Sequence, residues 1–139
     1  GIFDFILIDC PPSLGILTVN SLVASDSVLV PLQCEFYALE GLAQLLRTIE
    51  KIRENLNSQL TLEGVILTMY DRRTRLCEEV VKDAKEHLGE RVFKTIIPRN
   101  VRLSEATSHQ LPAIIYDQKC VGSLAYIELA KELINRLEI

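Results

Sequence analysis

Four short apolar runs separate the more polar parts of the chain. They span residues 3–9, 27–32, 64–70 and 92–97, and they are continuous rather than alternating in polarity. Strands of a parallel sheet show this pattern because other elements cover both of their faces. The runs therefore predict four buried strands that lie parallel in one sheet.

Segments with helical spacing lie between and after these runs. Apolar residues recur at helical intervals from Leu39 to Leu56 and again from Leu76 to Leu88. A last helix is predicted from about Gly122 to Leu137. The alternation of strands and helices favours right-handed βαβ units, and so a three-layer α/β fold with a mostly parallel sheet.

Length and composition indicate one domain or a part of one. The 139 residues are 48% hydrophobic, and no internal repeat or Pro/Gly/Ser-rich linker divides them. A three-layer fold of this kind usually has about five or more strands, whereas only four runs are present and the first opens the chain. We therefore expect residues 1–139 to be part of a larger single domain.

Cysteine, histidine and charge patterns exclude several classes of protein. The four cysteines form no C-x-x-C pair, and neither histidine has metal-ligand spacing to them, so we expect reduced thiols.

No apolar run reaches the roughly 20 residues that cross a bilayer, and no signal peptide is recognisable, so we expect a cytoplasmic protein without membrane contact. Because the net charge is −4, contact with nucleic acid would need a local basic patch.

The first apolar run ends in an acid, Asp9, which Pro11 and Pro12 follow closely. The carboxyl ends of parallel strands form the edge at which α/β folds bind ligands. In nucleotide hydrolases a carboxylate at this edge holds Mg²⁺ directly or through water. From the residues alone, an acid that merely caps the strand is the more common alternative. The prolines restrict the backbone of the following loop.

Five arginines follow the third and fourth apolar runs. They are Arg72, Arg73 and Arg75 after the third run, and Arg99 and Arg102 after the fourth. If both strands run parallel to the first, these loops share one edge of the sheet. The planar guanidinium group suits phosphate because it donates two hydrogen bonds at once. A solvated or salt-bridged loop is an equal alternative, since Asp71, Glu78 and Glu79 lie nearby.

Three motifs closely resemble the ParA/Soj chromosome-partitioning ATPases. They are IDCPPSL at 8–14, VPLQCEFYALEG at 30–41 and IPRNVRLSEA at 97–106. The resemblance covers the chain in order and implies the C-terminal half of a P-loop ATPase domain that binds ATP and Mg²⁺. It also implies a homodimer formed with ATP, non-specific binding to nucleoid DNA, and stimulation by a ParB-type partner to segregate chromosomes or plasmids.

Within this resemblance, Asp9 matches the Walker B aspartate, which implies a catalytic role and Mg²⁺ held through water. A P-loop has the pattern G-x-x-x-x-G-K-[ST], and none of the six glycines is followed by lysine. The resemblance therefore places the phosphate-binding loop outside these residues. We expect the 139-residue chain alone to be inactive as an ATPase.

Other positions carry over as neighbourhoods of the ligands. Met69, Pro98 and Asn100 fall in stretches that flank the adenine in relatives, while Arg73 and Arg102 match positions that carry DNA binding. In addition, the segment 33–41 matches one near the dimer interface.

The chain departs from the family pattern at 104–110, where it has SEATSHQ instead of S-E-A-P-S-H-G. The missing proline removes one backbone constraint and Gln110 lacks the freedom of glycine at positive φ, so the family pattern does not fix the conformation of this loop. We interpret His109 as structural rather than catalytic.

Two other functions remain as alternatives. A MinD-like ATPase would need a basic amphipathic helix at its end, whereas residues 131–139 mix charges of both signs and show no basic face. A non-catalytic α/β interaction module would use the acid and the arginines only to contact a partner, and it predicts no binding of ATP.

Overall fold

The computed structural model describes residues 2–11 and 13–137. The chain divides into two compact units. The first comprises residues 1–28 and 43–63, and the second comprises residues 29–42 and 64–139. Pro12, which belongs to the predicted loop after Asp9, lies outside the described residues.

Helices and strands alternate through the first two thirds of the chain, and helices follow. Their order is α1 (Ile16–Ala24), β1 (Ser27–Gln33), α2 (Ala38–Asn55), β2 (Thr61–Thr68), α3 (Arg75–Leu88), a 3₁₀ turn (Gly89–Arg91), α4 (Val101–Ser108), α5 (Ala113–Tyr116) and α6 (Val121–Arg136).

Strands β1 and β2 pair in parallel. At one end of the pair the backbone N–H of Thr61 donates to the carbonyl of Asp26, and at the other the N–H of Cys34 donates to the carbonyl of Thr68. Both partners advance along the chain in the same direction, as in a parallel ladder. This confirms the predicted second and third strands and the parallel sheet.

The predicted fourth strand is present only as two isolated contacts. Parallel bridges join Val65 to Val92 and Tyr70 to Pro98. Between the bridges, the backbone N–H groups of residues 94 and 95 donate to a side chain, the carboxylate of Glu132. Residues 92–98 therefore run along β2 without forming a continuous ladder.

The predicted first strand is wrong in this structure. Residues 2–11 form neither helix nor strand, and the side chains of Ile6 and Leu7 are 80% and 83% exposed. A strand needs a neighbour that takes up its backbone hydrogen bonds. Within the described part of the chain the sheet consists of β1 and β2, and neither pairs with this segment. Apolar character alone does not make it a strand.

The three long helices are confirmed as α2, α3 and α6, each within about two residues of its predicted bounds. Helices α1, α4 and α5 were not predicted. The end of α1 is fixed from a distance, because the side-chain Nδ2 of Asn57 donates to the carbonyls of Leu22, Val23 and Ser25 at 2.9–3.2 Å. These three carbonyls are among the groups that a helix end leaves unpaired.

Each unit has its own apolar core. The core of the first unit consists of Leu22, Ile49, Ile52 and Leu60. That of the second unit consists of Ile66, Phe93, Ile97 and Leu129, with Leu29, Leu103, Ala125 and Leu133 packed against it. The second core joins β2, the 92–98 segment and helix α6, and so fixes the loops that leave this sheet.

A polar clamp closes the second core. The Glu132 carboxylate accepts hydrogen bonds from the N–H groups of Lys94 and Thr95 at 2.7 and 2.8 Å. Arg136 forms an ion pair with Glu132 at 3.0 Å, and its guanidinium carbon lies 4.0 Å from the ring centroid of Phe93. Burial alone would raise the pKa of Glu132. The hydrogen bonds from Lys94, Thr95 and Arg136 outweigh it, so this pKa is lowered.

Among the described residues, no helix combines the length and the apolar character that a membrane crossing requires.

Candidate nucleotide and nucleic-acid site

Asp9, the predicted Walker B aspartate, lies in the first unit. Its side chain is exposed, and it belongs to the irregular segment 2–11. Its place at the end of a strand is therefore not seen here, and its role in holding Mg²⁺ stays a prediction. In the part of the chain that the structure describes, no group of three or more acidic, histidine or cysteine side chains could hold a metal.

An open hollow of about 440 Å³ lies in the second unit, where β1 and β2 end. Its lining combines apolar and sulfur-bearing side chains with three charged groups and a hydroxyl. The lining residues are Cys34, Glu35, Phe36, Met69, Asp71, Thr74, Leu76, Cys77 and Arg99. The hollow therefore offers an apolar surface with charged groups beside it.

Met69 reaches this hollow through an unusual backbone conformation. It follows the last residue of β2 and has a φ of 54°, which falls in the left-handed region that costs a non-glycine residue roughly 1–2 kcal/mol. The next residue, Tyr70, is held in register by the hydrogen bond from its N–H to the carbonyl of Ile97. The residues on both sides of Met69 are thus held in place, Thr68 by its strand β2 and Tyr70 by this hydrogen bond.

Pro98 and Asn100 lie beside the hollow rather than in its lining, and they flank Arg99, which does line it. Pro98 is fixed by its bridge to Tyr70. Asn100 caps α4, because its Oδ1 accepts a hydrogen bond from the N–H of Arg102 at 3.0 Å. This leaves the Nδ2 of Asn100 as the group that could donate to a ligand.

Arg73 is tied to its own loop. Its Nε donates to Oδ1 of Asp71 at 2.9 Å, and its NH2 group donates to Oδ2 at 2.7 Å, so the pair is bidentate. The hydrogen bonds from the Arg73 side chain and N–H, with the charges of Arg73 and Arg99, hold the pKa of Asp71 well below its ordinary value despite the opposing effect of burial. The Arg73 side chain is nevertheless 81% exposed.

Arg102 is paired with two acids from different elements. Its NH1 group donates to Oε2 of Glu105 at 2.9 Å, within α4, and its Nε lies 3.5 Å from Oδ2 of Asp117, after α5. The hydroxyl of Tyr116 also donates to Glu105, at 3.3 Å. The side chain of Arg102 is half-exposed, so its contacts face solvent.

The structure brings the arginine loops of the second unit together in part. The N–H of Arg99 donates to the carbonyl of Tyr70 at 2.9 Å, which places Arg99 beside the start of the 71–75 loop. The two loops therefore leave β2 and the 92–98 segment side by side, while the expectation that they share an edge of the sheet with Asp9 stays a prediction. Arg72 and Arg75 are exposed and form no ion pair within the described ranges.

Two exposed aromatic rings stand on the turn after β1. Phe36 and Tyr37 are 73% and 71% exposed, and their rings meet edge to face with centroids 4.8 Å apart. They lie within the segment 33–41, which the resemblance to ParA/Soj proteins implies to be near a dimer interface. No sequence pattern indicated that both rings would be exposed.

The thiols of the hollow are protected. Cys34 and Cys77 are buried, and the Sγ of Cys77 donates to the carbonyl of Cys34 at 3.4 Å. Burial first, and then the neighbouring Cys77, raises the pKa of the Cys34 thiol to about 11. The expectation of reduced thiols stays a prediction.

The segment 104–110, expected to be a loop, comprises the end of α4 up to Ser108 and the turn after it. Gln110 has a φ of 55°, so the backbone keeps a left-handed residue here although glycine is absent. The ring of His109 stacks on Tyr116 with centroids 5.0 Å apart. This packing fits the structural interpretation of His109.

This chain is similar to known proteins in sequence and in structure. A family profile described as "AAA domain" matches residues 2–62. The chromosome partitioning protein ParA of Caulobacter vibrioides is 58% identical over 98% of this chain. The sporulation initiation inhibitor protein Soj of Bacillus subtilis is 56% identical over 94%. The chain covers 51% and 52% of these two relatives, so it spans about half of their length.

Solved structures share the fold over the same extent. Cobyrinic acid a,c-diamide synthase of Mycobacterium smegmatis, with a bound ATP analogue and magnesium, has a TM-score of 0.80 and 39% identity over 99% of this chain and 50% of its own. The cell division ATPase MinD of Pyrococcus furiosus has a TM-score of 0.77 and 25% identity over 96% of this chain and 53% of its own. The α/β fold with a parallel sheet is therefore that of P-loop ATPases. By these matches the chain belongs to the ParA/Soj family of chromosome-partitioning proteins, and it spans about half the length of the relatives it matches.

Proposed function

We propose that the complete gene product is a ParA-type ATPase that couples ATP binding to non-specific DNA binding and so partitions chromosomes or plasmids. The observation that carries this proposal is the 58% identity to a chromosome partitioning protein ParA over 98% of the chain. The arginine loops and the hollow of the second unit support it, because they give nucleic acid and nucleotide a surface of fitting chemistry.

The hollow is the proposed neighbourhood of the adenine. Met69 supplies apolar, polarisable surface for a flat ring, while Pro98 fixes the backbone beside it. The Nδ2 of Asn100 is available to donate, since its Oδ1 is engaged with the N–H of Arg102. A ring nitrogen of adenine is an acceptor of the kind that this amide can bind.

Asp9 is the proposed catalytic carboxylate. Oxygen ligands suit Mg²⁺, which usually keeps several of its waters, and the exposed carboxylate of Asp9 fits this chemistry. When bound, Mg²⁺ would neutralise charge that develops on the phosphates. Asp9 itself would hold and orient a water of the ion, so we expect its loss to reduce hydrolysis more than nucleotide binding.

The ATPase proposal is tested with Asp9→Ala in the complete gene product. We expect ATP hydrolysis to fall by at least about 100-fold, the scale at which single electrostatic groups act in catalysis. Asp4→Ala is the matched control, because Asp4 is another exposed acid of the segment 2–11. Equal rates for the two variants would contradict the assignment of Asp9, and absence of ATP binding by the wild type would favour a non-catalytic interaction module.

Arg73 and Arg102 are the proposed DNA contacts. Contacts to phosphate oxygens position a protein without selecting sequence, and each adds about one unit to the slope of log affinity against log salt concentration. We therefore expect Arg73→Ala and Arg102→Ala each to weaken binding to two unrelated duplexes equally. Arg53→Ala is the control, since Arg53 is a half-exposed arginine in a surface pair with Glu50.

Dimerisation with ATP and stimulation by a ParB-type partner complete the proposal. The exposed ring pair of Phe36 and Tyr37 supplies the kind of aromatic surface that interfaces favour. Sedimentation with and without ATP tests the dimer, and Phe36→Ala is expected to weaken it. The MinD-like alternative predicts co-sedimentation of the gene product with liposomes, whereas partitioning of DNA does not require it.

A further inference from the structure

Both proposed DNA-contacting arginines already hold an anion of their own chain. Arg73 forms an ion pair with Asp71, and Arg102 forms ion pairs with Glu105 and Asp117. A phosphate of DNA can bind either guanidinium group fully only if it displaces these carboxylates. These carboxylates therefore compete with the phosphates of DNA for the two guanidinium groups.

The two aspartates divide their oxygens in a similar way. In Asp71, Oδ1 accepts the backbone N–H of Arg73 and also its side-chain Nε, and Oδ2 accepts its NH2 group. In Asp117, Oδ1 accepts the N–H groups of Lys119 and Cys120, while Oδ2 faces the Nε of Arg102 at 3.5 Å. In each aspartate Oδ1 thus fixes the local backbone and Oδ2 contacts the arginine, and in Asp71 the Oδ1 atom contacts the arginine as well.

We propose that Asp71 and Asp117 are affinity-setting residues, which hold Arg73 and Arg102 in internal ion pairs and so weaken binding of DNA phosphates. This inference rests on the proposed DNA binding and adds to it the residues that limit it. Exposed ion pairs are individually weak, so the phosphates of DNA can displace them. A polyanion that supplies several contacts at once overcomes this competition, whereas a single phosphate gains little.

The division of oxygens makes asparagine a precise probe. Asp71→Asn and Asp117→Asn each keep an Oδ1 that accepts the backbone N–H groups. They replace Oδ2 with an NH₂ group that cannot accept from a guanidinium. Asp117→Asn thereby loses its contact with Arg102, and Asp71→Asn loses the NH2 contact and the charge while its Oδ1 can still accept from the Nε of Arg73. Glu128→Gln is the matched control, because Glu128 is an exposed acid paired with Lys131 on α6 and its substitution changes the net charge equally.

The experiment measures the affinity of the complete gene product with ATP for a labelled duplex of arbitrary sequence by fluorescence anisotropy. We expect Asp71→Asn and Asp117→Asn each to tighten binding about threefold, the scale of one surface ion pair, and Glu128→Gln to change it by less than about 1.5-fold. In an Arg73→Ala background, Asp71→Asn should have no more effect than the control.

The outcomes separate this inference from the function on which it rests. If Arg73→Ala weakens binding but Asp71→Asn and Asp117→Asn behave like Glu128→Gln, the inference is overturned while the DNA surface stands. If neither Arg73→Ala nor Arg102→Ala changes DNA affinity, the DNA surface itself is overturned and the inference falls with it. Equal unfolding temperatures of the variants confirm that the asparagines keep the fold.

Discussion

The polar clamp on helix α6 gives a sharp prediction about stability. In Glu132→Ala the N–H groups of Lys94 and Thr95 lose their acceptor, and Arg136 loses its ion pair beside Phe93. The side chain of Glu132 is only 16% exposed, so water replaces these contacts incompletely. Hydrogen bonds to charged groups contribute about 1.5–3 kcal/mol each. Taking the lower end for two such bonds and allowing for solvent access, we expect the free energy of unfolding to fall by about 2–3 kcal/mol.

Urea unfolding followed by circular dichroism measures this loss. Glu128→Ala is the control, because Glu128 lies on the same helix and its contact is an exposed pair with Lys131. We expect it to cost less than about 0.5 kcal/mol. A difference between Glu132→Ala and Glu128→Ala of less than about 1 kcal/mol would refute the reasoning, since the carboxylate would then hold the 92–98 segment no better than a surface acid.

The same clamp predicts a pH dependence. The folded-state pKa of Glu132 is lowered from its ordinary value of 4.5, so the unfolded chain binds this proton more tightly than the folded one. The contribution of the Glu132 carboxylate to the free energy of unfolding is therefore complete above about pH 4.5, and it is lost as the pH falls through the lower folded-state pKa. In Glu132→Gln the free energy of unfolding should depend less on pH in this acidic range, whereas Glu128→Gln should leave the pH dependence unchanged.

Two further predictions test packing and thiol chemistry. Gly64→Ala should destabilise the chain by about 1–3 kcal/mol in urea unfolding, because the new Cβ would lie 2.6 Å from a backbone carbonyl oxygen of the 3₁₀ turn. Gly41→Ala should be neutral or slightly stabilising, because its Cβ would have nothing within 4 Å. Ellman's reagent at pH 7.5 should react slowly with Cys34 and Cys77 and faster with the half-buried Cys10. Rapid reaction of all the thiols in folded protein, or equal stability of the two alanine variants, would contradict the structure.

The long helices and the two strands were predictable because their patterns are local. The spacing in α2, α3 and α6 and the continuous apolar runs of β1 and β2 are properties of each segment alone. Helix α4 also carried a local signal, the capping residue Asn100, although its apolar spacing was too short to stand out. The four residues of α5 are too few for any periodicity.

Other features depend on partners distant in the sequence. The apolar run at 3–9 has the composition of a buried strand, but a strand also requires a neighbour, and neither β1 nor β2 pairs with it. The end of α1 depends on Asn57, more than 30 residues further along. The 92–98 segment loses its ladder because Glu132 takes two of its N–H groups. None of these contacts can be deduced from periodicity.

The candidate site, too, could be predicted from sequence only in part. Sequence located the arginine loops, and the bridge of Tyr70 to Pro98 brings the start of one loop beside Arg99. What sequence did not reveal is the state of the side chains. Asp71 was noted only as a nearby acid, yet its carboxylate forms a bidentate pair with Arg73.

We propose that ATP binding and DNA binding are coupled in the complete gene product, and its affinity for duplex DNA, measured with and without ATP, tests this coupling. If ATP joins two basic surfaces in one dimer, binding to two unrelated duplexes should tighten equally, by at least about tenfold, when ATP and Mg²⁺ are present. An affinity that does not change with ATP, or that differs strongly between the two duplexes, would contradict the account.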